Sequence, residues 1–196
     1  MSKVVRTNKE TQNDNEISLL NLEEGNEKVM ADEVEIKKNK RSAYATFLNT
    51  GTKVTPTWQR MGKGISEMEQ AYNAEEESEK YIDEDSATNS VTSYAPAFEV
   101  EQKCYAGEKI FEYIDKKRRD RAIESDAETQ TLDVFMYDKK AEGVYGAELS
   151  DAIVVISKFS GDVIGYSVKK NGDPVQGYVT IQDKTVTFKE GEYSAS

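Results

Sequence analysis

The pattern of hydrophobic positions changes near residue 42. Up to that point Asn, Glu, Asp and Lys dominate, the first aromatic is Tyr44, and the apolar cluster is Ile17-Ser18-Leu19-Leu20-Asn21-Leu22. A segment this polar buries too little surface to offset its ordering entropy. Residues 1–41 are therefore expected to be a flexible N-terminal arm, with the folded domain over 42–196. Met30-Ala31-Asp32-Glu33 offers a second start; used that way, it makes 1–29 an upstream extension.

Beyond Tyr44 the period becomes that of strands, punctuated by Thr50-Gly51, Thr55-Pro56, Gly62-Lys63-Gly64 and Asn171-Gly172-Asp173-Pro174. A strand is predicted over 65–72. The block 90–101 is rich in β-branched and aromatic residues, and Pro96 within it marks an edge or a bulge. From Phe98 it alternates: Phe98, Val100 and Gln102 on one side, Glu99, Glu101 and Lys103 on the other. A helix is predicted over 107–121, with Ile110, Phe111 and Ile114 on one face and Glu112–Lys116 and Asp115–Arg119 as acid-first i,i+4 pairs. Strands are then predicted over 129–138, 148–159, 163–169, 175–181 and 185–189. Ser160-Gly161-Asp162, Lys170-Asn171-Gly172-Asp173 and Gln182-Asp183-Lys184 supply the turns, and Asn-Gly between alternating runs predicts a hairpin. The expected fold is mainly β: an antiparallel β-sandwich or barrel with one packed α-helix.

Composition narrows the function classes. The chain has 196 residues, 37% hydrophobic and 32% charged, enough for one domain with a core. With 26 Lys+Arg against 37 Asp+Glu the formal charge is -11, which disfavours an electrostatic grip on nucleic acid. No run of about 18 apolar residues suggests a membrane helix. A soluble protein made in a reducing compartment is the expectation. Histidine is absent, which removes the commonest general base and metal ligand. The single cysteine, Cys104, lacks an activating histidine and reads as a small buried hydrophobe.

Three motifs invite a chemical reading. The acidic run 75–85 fits the first two ligand positions of a calcium loop with Asp83 and Asp85. Ala87, Thr88 and Tyr94 then stand where a third ligand, a glycine and a glutamate are needed, so a solvated acidic loop is the simpler reading. Gly62-Lys63-Gly64 lacks the rest of a phosphate-binding loop. The basic run 116–121 is interrupted by Asp120 and comes after Asp115, and it reads as a helix end making salt bridges, within the chain or to another subunit. No catalytic residue, cofactor or metal is expected, and the chain is read as a non-enzyme.

Thr57-Trp58-Gln59-Arg60-Met61-Gly62-Lys63-Gly64-Ile65 resembles the opening of the major tail proteins of long-tailed bacteriophages. Tyr72-Asn73-Ala74 through Lys80-Tyr81-Ile82-Asp83 is similar to the next segment of those proteins. Gly172-Asp173-Pro174-Val175-Gln176-Gly177-Tyr178-Val179, with Lys184-Thr185-Val186-Thr187-Phe188 behind it, resembles their closing hairpin. The resemblance spans about residues 40–188, and the extension 1–29 departs from it.

The resemblance implies a virion protein of the phage tail, made in the host cytoplasm. Its copies would form hexameric rings that stack into a tube, with the inner strands joined into one barrel. DNA would pass without tight binding, and the partners would be the tape measure protein and the tail tip and tail terminator proteins. Mapped onto this chain, 65–72 and 90–103, with two strands from 148–169, are the expected inner strands. Glu67, Glu69, Glu99, Glu101, Glu148 and Asp151 are then the expected lumen-facing acids. The segment 74–90, with Glu75, Glu76, Glu77, Glu79, Asp83, Glu84 and Asp85, is the expected loop to the next ring. The alternative is a monomeric tail adaptor that uses the β-domain as a binding module.

Overall fold

The computed structural model describes residues 38–83 and 85–195; most of the expected arm, the second start at Met30, and Glu84 lie outside the described residues. The strands are β1 Tyr44–Asn49, β2 Trp58–Arg60, β3 Ile65–Ala71, β4 Ala74–Glu79, β5 Thr88–Tyr94, β6 Ala97–Lys103, β7 Glu128–Ala141, β8 Val144–Phe159, β9 Val163–Gln182 and β10 Thr185–Glu190. The helix α1, Lys109–Asp120, lies between β6 and β7. An eight-stranded sheet runs β2-β1-β7-β8-β9-β6-β3, with β10 also on β9, while β4 and β5 pair with each other. All of these pairings are antiparallel. The expected mainly β fold with one helix is what the chain adopts, as a curled sheet forming a half-barrel.

The curl is visible in the core. Leu48 of β1 and Met61 after β2 belong to the same apolar cluster as Phe98, Val100, Ile164 and Tyr166, although β7, β8 and β9 separate β1 from β6 in the sheet. Near the seam between the two ends of the sheet, the Tyr44 hydroxyl donates to Gln70 Oε1 of β3 at 3.0 Å. Ile110 and Ile114 of α1 join this cluster. The opposite face of the sheet carries a second cluster: Ala45, Phe47, Leu132, Val134, Ala147 and Val179, packed by Trp58, Val186 and Phe188. Strand β1 therefore buries both of its faces.

A relay of polar groups docks the helix. Tyr166 Oη donates to Gln102 Oε1 at 3.1 Å, and Gln102 Nε2 donates to Glu108 Oε2 at 2.8 Å. Glu108 is the N-cap and accepts the Phe111 N–H at 2.6 Å. Asp115–Arg119 forms as expected at 2.5 Å. Glu112 instead takes Lys109 at 3.1 Å, so the Glu112–Lys116 pair is not the one that forms.

One predicted turn and one predicted loop are corrected. Residues 171–174 do not reverse the chain: β9 continues through them, and β8 pairs with it on both sides. Leu149 faces Val175 and Asp151 faces Asn171, so Ser150 alone stands opposite Gly172, Asp173 and Pro174. The Asn-Gly chemistry is spent on a bulge, with Gly172 at φ +66°. A 16-residue β8 offers a partner on both sides of it, and that favours continuation over reversal. The closing reversal comes later, at Asp183 and Lys184, both at positive φ as a tight hairpin requires.

The second correction concerns 74–101. The acidic stretch read as a loop is a strand, β4, and the block 90–101 is broken at Ala95-Pro96 into β5 and β6 in different sheets. Together these segments form one long ribbon. The β3–β6 ladder ends at Ala71 and Ala97, the Ala95 N–H donates to Tyr72 O, and the β4–β5 ladder begins at Ala74 and Tyr94.

Candidate assembly site

Two surfaces carry the expected site residues, and the backbone register builds the first. Glu67 faces Glu101 and Glu69 faces Glu99 across β3 and β6. Since β3 and β6 alternate strictly there, all four carboxylates stand on one face, opposite the Phe98, Val100 and Gln102 side that is buried. Like charges directly opposite each other repel. Glu101 alone of the four has a cationic partner among the described residues, Lys158 of β8. The next strand puts Gly165 and Ser167 beside Glu101 and Glu99. A Cβ at Gly165 would meet Lys158 Cγ at 2.6 Å, so the glycine leaves the room that the lysine stem occupies.

The remaining expected lumen acids do not join this cluster. Asp151 shares the face, yet it is bound to Lys53 at 3.3 Å, and Lys53 also holds Glu128 at 3.0 Å. Hydrogen bonds that the Lys53 ammonium donates, first to Glu128 and then to Asp151, hold it above its ordinary value. Glu148 is three residues from Asp151 and so points to the other side of β8. There it faces Asp133 and Gln176 and accepts from Gln176 Nε2 at 2.8 Å.

The second surface is the β4–β5 ribbon. All of its strand residues are exposed. Glu75, Glu77 and Glu79 share one face, opposite Ser93, Ser90 and Thr88, and Glu76 lies on the other face opposite Val91. Ser93 Oγ donates to Glu75 Oε2 at 2.8 Å, and Tyr81 Oη donates to Glu79 Oε2 at the same distance. Asp83 and Asp85 are exposed in the turn that joins the strands. Tyr72, Tyr81, Ile82, Val91 and Tyr94 place apolar surface in water along this acidic ribbon.

Sequence reasoning missed a buried polar knot. Asp133 and Lys170 form an ion pair with side chains 1% and 7% exposed. Thr46 Oγ1 donates to Asp133 Oδ1 at 2.7 Å, and the Lys170 ammonium lies 5.3 Å from the Phe98 ring centre. The legible signal was a lone acid between Leu132 and Val134 in mid-strand. Burial first, and then Asp133, raise the Tyr44 phenol above its ordinary value.

Burial pushes the Cys104 thiol up, with Asp115 and Asp162 adding to it. Among the described residues, no three His, Cys, Asp or Glu side chains converge as a metal site needs. No helix there is long and apolar enough to cross a membrane.

No protein-family model matches the chain, and no curated protein matches it. Among solved structures, it is similar to a chain of the six-fold symmetrised baseplate of the anti-feeding prophage. That likeness covers 72% of this chain and 97% of the other, at 9% identity and a TM-score of 0.41. At this level it carries no argument about function.

Proposed function

We propose that the protein is a structural subunit of a phage tail that self-assembles into stacked hexameric rings and forms the tail tube. The observation that carries the reading is the row Glu67–Glu101 and Glu69–Glu99 on adjacent strands. A domain needing only solubility gains nothing from setting carboxylates directly opposite one another. A wall past which DNA must slide gains by repelling phosphate, because no counterions are released and no binding traps the strand. The tail-protein resemblance of the sequence around Trp58 and Lys184 supports the same reading. So do the free sheet edges β2 and β3.

In this account the acidic face lines the lumen, and the β4–β5 ribbon reaches the next ring. The tape measure protein, tail tip and tail terminator are its partners in the virion, and the chain has no catalytic role. Sedimentation velocity over a range of concentrations tests it. Growth from monomer to rings and larger species is the expected result. A chain that stays monomeric until another tail protein is added contradicts it and favours a tail adaptor.

A further inference from the structure

The C-terminal end of α1 borders a groove of about 420 Å³ that the proposed tube does not yet use. Lys117, Arg118 and Arg121 line one part of it, and Ala122, Val155 and Ile156 another, with no carboxylate in the lining. Each cation is held differently. Lys117 donates to the carbonyls of Asp126 and Glu128. Arg118 pairs with Asp115 at 2.7 Å and stacks 3.9 Å from the Phe159 ring centre. Arg121 sits at φ 51° in the helix cap and makes no ion pair among the described residues. Val155 is 40% exposed, and the neighbouring Ile123 is 70% exposed. The groove is thus a cationic rim around an apolar floor, which suits a ligand that is apolar at its centre and acidic around it.

The chain carries such a ligand at the tip of its own ribbon. Ile82 is fully exposed and Tyr81 is 60% exposed; Glu79, Asp83 and Asp85 outnumber the single cation, Lys80, among the charges that flank them. The β4–β5 ladder sets this tip off from the sheet by six residues, about 20 Å at the rise of a strand. We propose that the tip of one copy, Tyr81-Ile82 with Asp83 and Asp85, docks in the α1 groove of a second copy. The inference rests on the self-assembly proposed above and names its receptor surface. Ile82 loses water contact against Val155 and Ile156, while the aspartates meet Arg121 and Lys117. Tip and groove are different surfaces, so each copy offers one of each. A contact of this kind is head-to-tail, and it propagates until a ring closes or a stack ends. One tip covers little area, so it sets register and adds to contacts along the sheet edges.

Sedimentation velocity of the full chain tests this, using Ile82→Ser, the pair Asp83→Lys with Asp85→Lys, and Arg121→Asp. All three sites are exposed, and Asp tolerates the left-handed backbone at 121. Each variant is expected to need about tenfold more protein or above to assemble, because like charges or a lost apolar anchor now meet at the contact. Mixing the Asp83→Lys/Asp85→Lys variant with Arg121→Asp should restore assembly with the two variants alternating, because the lysine tip of one meets the aspartate groove of the other and the acidic tip of the second meets the unchanged groove of the first. Placing all three charge changes in one chain should restore assembly. If the wild type assembles and every variant assembles at the same concentration, the groove contact is overturned and the tube reading stands. If the wild type forms only short chains that the variants abolish, the contact stands and the tube reading falls. A wild type that never leaves the monomer overturns both.

Discussion

Asp133 and Lys170 show what a single pair can cost. Both are almost fully enclosed, so removing one partner strands a charge away from water. Lys170→Met should destabilise the domain by about 3–5 kcal/mol, and adding Asp133→Leu should recover most of that loss. Denaturant unfolding of the two variants checks it, and a double variant no better than the single would contradict it. Asp115 makes the acid-side prediction. Burial works to raise its carboxyl, but Arg118 and Arg119 outweigh that and hold it below its ordinary 3.8. A carboxyl depressed in the folded state stabilises above its unfolded value, and that stability is lost as pH falls through the folded value. Asp115→Asn should therefore flatten the loss of stability below pH 3.8, read from unfolding curves taken between neutral pH and acid. An unchanged acid slope would contradict the assignment. At this scale the period-two facing of Glu99 and Glu101 was legible, because a strand fixes it locally. The burial of Asp133 was not, because Thr46 and Lys170 reach it from 87 and 37 positions away in sequence.

Among elements, α1 and the strands β3, β6, β7, β8 and β10 were legible as strand or helix with ends shifted by a few residues. The misread turn has a general cause. Turn residues say that the backbone can deviate, and the neighbouring strand decides whether it reverses or bulges. Gly172 illustrates this: β8 is long enough to hold β9 on both sides of it, so the glycine serves a bulge. A Cβ there would meet nothing within 4 Å, so Gly172→Ala tests backbone strain alone. The expected cost is about 1–2 kcal/mol, the steric penalty of a left-handed residue with a side chain. A neutral result in thermal unfolding would mean that the bulge does not need positive φ. The ribbon β4–β5 was hidden for a different reason. Four of the six residues of β4 are glutamate, a poor strand former, and pairing with the Ser- and Thr-rich β5 overrides that preference.

For the whole molecule, the question is why the repulsive row on β3 and β6 is retained. Replacing Glu67, Glu69 and Glu99 by Gln leaves the Glu101–Lys158 pair in place and removes the repulsion. Thermal stability should rise, by about a few tenths of a kcal/mol per relieved pair, while DNA ejection from particles carrying the variant should slow. Normal ejection would mean that the acidic face does not line the channel. Of the three surfaces proposed for assembly, the Glu67–Glu101 face and the acids of the ribbon were legible in the sequence, though not the ribbon's strand pairing. The groove that would receive the ribbon was not, because it brings the end of α1 against β8 across more than thirty positions of chain. The central claim is that this chain builds a hollow tube by itself. Negative-stain electron microscopy of the concentrated full chain tests it most directly. Six-fold rings and hollow tubes are the expected result; a field of single globules at every concentration would contradict the account.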